Sequence, residues 1–118
     1  MDTEDRQLMN DEIKYTSQGA FFTWDDEKAR QNWQKHGVSF KDAADVFSDV
    51  YAIDLPDTEH MDVENRRQII GIVSDTLQIL FVVYIERTRR DNVEVIRLIS
   101  ARSANRKEQR LYERGISR

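Results

Sequence analysis

The segment Ile79–Ile85 is the longest apolar run in the chain, and it limits the folds that this sequence can adopt. It lies within Leu77–Glu86, which is almost entirely apolar, β-branched or aromatic, as strands that are covered on both faces are. The run is far shorter than the roughly 20 apolar residues that a membrane-spanning helix needs. The sequence therefore predicts a sheet in which Leu77–Glu86 is a central strand.

Other segments have the composition of further strands. They are Ala20–Trp24, Val50–Leu55, Arg66–Ser74 and Val93–Ser100. A tight turn at Ser74–Thr76 and a charged turn at Arg87–Asn92 separate the last three strands of the chain. Short connections of this kind join antiparallel neighbours, so we expect an antiparallel sheet of about four strands.

Two helices with well-marked ends are predicted after the first strand. Asp25 is a suitable N-cap for the first helix, and Gly37 follows its last turn as a C-terminal glycine. Ala29 and Trp33 are four residues apart and are predicted to form its buried stripe. Ser39 begins the second helix, whose apolar residues have helical spacing. These residues are Phe40, Ala43, Ala44 and Phe47.

The last element is predicted to be a basic helix. Arg102, Arg106 and Arg110 are four residues apart and are expected to share one face, while Glu108 and Tyr112 form a second pair of that spacing. The complete order of elements predicts an α+β fold with two N-terminal helices, the antiparallel sheet and this C-terminal helix.

The 118 residues are enough for one domain with its own core. We predict a polar leader over residues 1–19, either disordered or a frayed helix, then a domain over 20–115 and a tail over 116–118. The chain has no cysteine, which excludes disulfides, thiolate zinc sites and cysteine nucleophiles. The acidic N-terminus lacks the apolar segment of a signal peptide, so we expect a cytoplasmic location.

Charge is distributed unevenly between the two halves of the chain. Residues 1–65 contain 16 acidic and 6 basic residues, whereas residues 66–118 contain 6 acidic and 12 basic residues, eleven of them arginine. Lysine would serve solubility equally well, but the planar arginine side chain suits phosphate or carboxylate recognition. The second half is therefore predicted to carry a basic working surface.

The residues that could support catalysis predict neither a metal site nor a cofactor site. His36 and His60 are not spaced as metal ligands, and the four glycines form no phosphate-binding loop. We therefore expect no metal and no cofactor. Cleavage of RNA needs less, because the ribose 2′-hydroxyl is the nucleophile and the protein must only align it, move protons and neutralise charge.

Candidate phosphate ligands lie in or beside the last three strands and the final helix. They are Arg66, Arg87, Arg97 and Arg102. Strand alternation places Arg97 on one face with Val95 and Ile99, where a charge is costly unless it is paired or functional. An alternative interpretation of the arginines on the last helix is a solvated face or a site for an acidic partner.

Glu86, His36 and Tyr112 are candidate proton carriers, and each has a purely structural alternative. His36 is also suited to the negative end of the first helix. Glu86 is also suited to an ion pair with Arg87 at the end of a strand, and Tyr112 to packing its ring on the sheet. The residues alone leave these alternatives open.

The order and content of several blocks resemble the BrnT toxins over residues 22–115. These blocks are Phe22–Asp25, Lys28, Asn32, Lys35–Phe40, Ala43–Ala44, Val46–Asp49, His60, Arg66 five residues before Gly71, Glu86–Arg87, Arg97–Arg102, Ala104, Glu108 and Tyr112. Residues 1–19 extend beyond the usual start of these toxins, and Arg67 occupies a position where an aromatic residue is common. Three explanations of this extension are considered: an upstream start codon, an added expression segment, or an acidic arm that mimics a partner.

The resemblance implies a RelE-like fold and a ribonuclease toxin that inhibits translation. It also implies a BrnA-like antitoxin with a ribbon-helix-helix part, and the complex would bind its DNA operator only through that antitoxin. The complex is expected to contain two toxin and two antitoxin chains and to have no membrane partner. The catalytic residues that it implies are Arg66, Glu86, Arg87, Arg102, His36 and Tyr112. Further substrate-binding residues are expected at Lys35, Arg97, Arg106 and Arg110. The alternative is a non-catalytic binding module or co-repressor that holds an acidic partner through its arginines.

Overall fold

One sheet organises the part of the chain that the computed structural model describes, residues 11–58 and 65–116. Its six strands are β1 (Ile13–Ser17), β2 (Ala20–Thr23), β3 (Ile53–Pro56), β4 (Arg66–Val73), β5 (Gln78–Thr88) and β6 (Glu94–Ser103). Their spatial order is β1-β2-β6-β5-β4-β3. All neighbouring pairs are antiparallel except β2 and β6, which are parallel.

Three helices accompany the sheet in the described residues: α1 (Asp26–His36), α2 (Phe40–Asp45) and α3 (Arg106–Ile116). A single 3₁₀ turn, Val46–Ser48, follows α2. The predicted ends of α1 are confirmed, since Asp25 accepts a hydrogen bond from the Lys28 amide and Gly37 has a φ of 66°. Ser39 caps α2 as predicted, through a hydrogen bond from the Asp42 amide.

The α+β class is confirmed, but the predicted antiparallel sheet of about four strands is wrong. The sheet has six strands and is mixed, because β2 runs parallel to β6. Two helices and three strands separate these neighbours in the chain, so no local turn signal fixes their relative direction. The strands β3 to β6 do form the antiparallel portion that short connections predict.

Part of the predicted leader is a strand. Ile13–Ser17 forms β1 and pairs with β2 through a hairpin whose turn residues, Gln18 and Gly19, both have positive φ. The disordered or helical structure predicted for this stretch is therefore wrong for residues 13–17. Residues 1–10 lie outside the described residues, and the domain boundary at residue 20 stays a prediction.

One face of the sheet packs against α1 and α2 and forms the main apolar core. Core side chains from the sheet include Leu80, Val82 and Tyr84 of β5 and Leu98 of β6. The predicted burial of Trp33 is wrong, because 59% of this residue is exposed. The buried residue of α1 is Asn32. Its side chain accepts a hydrogen bond from the Ala101 amide and donates to the carbonyls of Val38 and Ala101.

The predicted helical face of Arg102, Arg106 and Arg110 is also wrong. Arg102 lies in β6, where it pairs with Phe81, and only the other two arginines belong to α3. The helix α3 starts later because Asn105 and Glu108 form a reciprocal capping box. Each of the two side chains accepts a hydrogen bond from the backbone amide of the other residue.

Candidate active site

Four of the predicted site residues lie on one face of the sheet, which we call the arginine face: Arg66, Arg87, Arg97 and Arg102. Arg66 on β4 and Arg97 on β6 both pair with Ile85 of β5, one from each side. Arg87 pairs with Val95, and Arg102 pairs with Phe81. Cross-strand partners share a face, so this surface is opposite the one that α1 and α2 cover.

A bulge in β6 is what places Arg97 and Arg102 on the same face. They are five residues apart, and simple alternation would separate them. The pairing register shifts, however: Tyr84 is opposite Leu98 and Val83 is opposite Ser100, which leaves Ile99 as an extra residue. The prediction that Arg97 shares its face with Val95 is confirmed, whereas the regular alternation assumed for Ile99 is interrupted.

Two open grooves lie along the arginine face. The strand-end groove, of about 1190 Å³, is lined by Arg66 and Arg87 together with Glu86 and Asp57. The helix-side groove, of about 520 Å³, lies between the face and α3 and is lined by Arg102, Glu108 and Lys107, with Arg66 and Asp57 shared by both grooves. Arg97 is opposite Ile85 and Arg102 is opposite Phe81, which lies four residues earlier on β5. The two arginines are therefore roughly 14 Å apart along the strand.

Each arginine of this face contacts a carboxylate. Arg66 Nε is 3.5 Å from Asp57 Oδ2, Arg87 Nη1 is 3.2 Å from Asp11 Oδ1, Arg97 Nη1 is 3.7 Å from the same Asp11 oxygen, and Arg102 donates two hydrogen bonds to Glu108, at 2.7 and 2.9 Å. The bidentate geometry of Arg102 with Glu108 is one that guanidinium groups also use with phosphates. The four arginines of this face are therefore held in place by ion pairs with carboxylates of the same chain.

The electrostatics differ along the face. Burial of the Arg97 guanidinium, followed by the charge of Arg87, lowers the pKa of Arg97. At the other end, burial opposes ionisation of Glu108, but hydrogen bonds from Arg102 and the Asn105 amide outweigh it and lower the pKa of Glu108. Its hydrogen bond to Glu108 raises the pKa of Arg102, and the same guanidinium stacks on Phe81 at 4.2 Å. Arg102 is thus fixed in a bidentate ion pair.

Other predicted site residues are elsewhere. His36 and Lys35 are exposed at the end of α1, on the helix-covered side, and line neither groove. Tyr112 is buried and donates a hydrogen bond to Asp49, and this burial raises the pKa of its hydroxyl.

Glu86 alternates onto the helix-covered side but reaches the rim of the strand-end groove. Arg106 and Arg110 are exposed on α3 and line neither groove. The second predicted histidine, His60, lies outside the described residues.

Three acidic residues of the site were missed by sequence reasoning: Asp11, Asp57 and Glu108. The spacing of Asn105 and Glu108 is a capping-box signal that identifies the start of α3 and hence the position of Glu108 beside Arg102. Asp57 and Asp11 have no such signal. Asp57 contacts Arg66 across a loop, and Asp11 contacts Arg87, which is far away in the chain.

In residues 11–58 and 65–116, no three histidine, cysteine, aspartate or glutamate side chains are grouped as metal ligands would be. No helix in these residues is long and apolar enough to cross a membrane.

The fold and the face together define a small α+β protein with four arginines on one face of its sheet. A family model described as "Ribonuclease toxin, BrnT, of type II toxin-antitoxin system" matches residues 24–108. The chain therefore belongs to the BrnT family of ribonuclease toxins, as its sequence blocks predict. The match includes all four residues of the arginine face and leaves out Asp11. Comparison with curated proteins finds no match.

Proposed function

We propose that this chain is an endoribonuclease that cleaves RNA without a metal ion and thereby inhibits translation. Family membership supplies the toxin role. The observation that supports catalysis on RNA is the arginine face, where three adjacent strands present guanidinium groups beside an open groove. The strand-end groove, of about 1190 Å³, is open along the sheet edge and is lined by Arg66 and Arg87.

The reaction would be attack by the ribose 2′-oxygen on the adjacent phosphorus. A base accepts the 2′-hydroxyl proton, a bond forms between the 2′-oxygen and phosphorus, and the bond to the 5′-oxygen breaks as that oxygen gains a proton. The products are a 2′,3′-cyclic phosphate and a 5′-hydroxyl end. Fixed cations that stabilise charge on the crowded phosphorus are the largest contribution a protein can make to this step.

We assign phosphate binding to Arg66, Arg87 and Arg97, which surround one end of the face. Arg102 is bound on both nitrogens by Glu108, so we assign it to positioning of α3 and to a more distant phosphate. For proton transfer we favour Asp57 or Glu86, because both line the groove that contains Arg66. His36 and Tyr112 are less suitable, since neither lies in that groove.

The partner in this proposal is a BrnA-like antitoxin with a ribbon-helix-helix part, in a cytoplasmic complex of two toxin and two antitoxin chains. DNA is bound only through the antitoxin. Lys35, Arg106 and Arg110 are exposed outside both grooves and are available to RNA or to the antitoxin.

A second function, a non-catalytic binding module or co-repressor, has one observation in its favour. Every residue of the arginine face already contacts a carboxylate, so the face suits acidic protein segments as well as phosphates. This form of the protein would bind RNA or antitoxin and leave RNA intact.

The test is incubation of the purified protein with RNA in the presence of EDTA. We expect cleavage to persist, to leave 2′,3′-cyclic phosphate ends, and to stop at a nucleotide that carries a single 2′-deoxy substitution. Cleavage lost in EDTA, or undiminished at the 2′-deoxy position, would contradict the mechanism. Binding without cleavage would favour the second function.

A further inference from the structure

Asp11 is buried between arginines of the arginine face, with only 5% of the residue exposed. Its carboxylate contacts both Arg87 and Arg97, which come from adjacent strands. Arg89 donates a hydrogen bond to its backbone carbonyl at 3.3 Å. Three cationic side chains therefore fix one acidic residue from the segment before β1. A site with this charge and geometry is equally suited to the oxygens of a phosphate.

Thr23 adds a polar group to the same place. It pairs with Arg97 across β2 and β6 and with Ile13 across β2 and β1, so it faces the arginine side. Its hydroxyl is buried and has no hydrogen-bond partner among the described residues. A buried hydroxyl without a partner is costly, so an acceptor that reached it would be favoured.

The covering carboxylate and the covered arginines belong to different parts of the chain. Arg87 and Arg97 lie within the residues that match the family, whereas Asp11 precedes them. β1 is an edge strand whose only neighbour in the sheet is β2. It can therefore leave without breaking the pairing of β2 with β6, at the cost of the hydrogen bond from Tyr15 to Asp45. Its departure would remove the carboxylate from Arg87, which is already partly exposed, and from Arg97, which is mostly buried.

We propose that the Asp11 carboxylate occupies a subsite for an RNA backbone phosphate, formed by Arg87, Arg97 and the Thr23 hydroxyl, and that RNA enters by displacing β1. The inference rests on the proposed function, since it names the regulation of the same surface. The chain then exists as a closed form, with Asp11 in place, and an open form that binds RNA. The apparent affinity for RNA is reduced by the fraction of molecules that are closed.

The experiment compares Asp11→Asn with Glu12→Gln. Each variant removes one negative charge from the same segment, but Glu12 is exposed and pairs with Lys14 rather than with the arginine face. The probe is a short 2′-O-methyl RNA, which carries the phosphates but cannot undergo 2′-hydroxyl attack. We expect Asp11→Asn to bind it about five- to tenfold more tightly than the wild type, because the closed form is weakened. Glu12→Gln should change binding by less than about twofold, since its charge is screened.

Equal changes in the two variants, or none in either, would overturn the proposal. A poly-glutamate probe distinguishes an acidic protein segment from RNA: tighter binding of poly-glutamate alone in Asp11→Asn would also overturn it. Because the probe cannot be cut, the result is independent of catalysis. A chain that does not cleave RNA can still show the subsite, and a chain that cleaves RNA can lack it.

A measurement on the wild type covers the case in which Asp11→Asn does not fold. Hydrogen exchange of the β1 amides, Ile13–Ser17, is followed with and without the 2′-O-methyl RNA. Displacement of β1 predicts faster exchange of these amides when RNA is bound, while the β5 and β6 amides stay protected. Unchanged or slower exchange in β1 on binding would contradict the proposal.

Discussion

The two faces of the sheet are built from alternating residues of the same strands, yet they differ in charge. On the helix-covered face, Tyr84 and Leu98 are opposite each other and completely buried. The next residue of β5, Ile85, faces the arginine side and lies between Arg66 of β4 and Arg97 of β6. Burial of apolar groups stabilises the first face, whereas the second holds charges that must be paired. The comparison indicates that apolar burial dominates one face, whereas paired arginines distinguish the other.

The largest effect on stability is expected from Leu98→Ala. This substitution removes a fully buried side chain from the helix-covered face and should lower the free energy of unfolding by about 2–5 kcal/mol. The matched control is Ile85→Ala on the arginine face, which is only partly buried and should cost less. Urea unfolding of the two variants gives the difference, and equal losses would break the distinction between the faces.

The next largest loss of stability is expected from Asn32→Ala. The substitution leaves the Ala101 amide and the carbonyls of Val38 and Ala101 without their side-chain partner, which should cost about 1–3 kcal/mol. Gln34, exposed on the same helix, provides the control as Gln34→Ala. Thermal unfolding distinguishes the two. A loss no larger than that of the control would mean that α1 is held to β6 by apolar contacts alone.

The smallest effect concerns pH and the ion pair between Arg102 and Glu108. The pKa of Glu108 is lower in the folded chain than the value of about 4.3 in an unfolded one. Its stabilisation is therefore complete above that value and is lost as the pH falls through the folded pKa. Glu108→Gln should be less stable than the wild type at pH 7 by about 1 kcal/mol, and the difference should shrink below pH 4. A difference that is the same at both pH values would contradict this assignment.

Local signals in the sequence were sufficient for the two N-terminal helices and for most strands, but the last helix begins later than predicted. Asp25 and Gly37 bracket α1 as predicted, because caps depend on a few neighbouring residues. Trp33 was mispredicted because the helix buries the polar Asn32 instead, and its partners on β6 are 69 residues away. The direction of β2 depends on the same kind of distant contact.

The candidate site shows the same division. Arg66, Arg87, Arg97 and Arg102 could be selected from the sequence because arginine in late strands suggests anion binding. Their presence on one face could not, since it depends on the extra residue Ile99 in β6. The covering Asp11 was likewise out of reach, because it meets Arg87 across 76 residues.

The central claim is that the arginine face, and not basic charge in general, acts on RNA. The most direct test compares the RNA cleavage rates of two charge-matched double variants, Arg66→Gln with Arg97→Gln and Arg106→Gln with Arg110→Gln. Each removes two positive charges, and thermal unfolding verifies that both are folded. We predict a loss of about 10²- to 10³-fold for the first, as for removal of groups that stabilise transition-state charge, and less than about fivefold for the second. Equal losses in the two variants would contradict the claim.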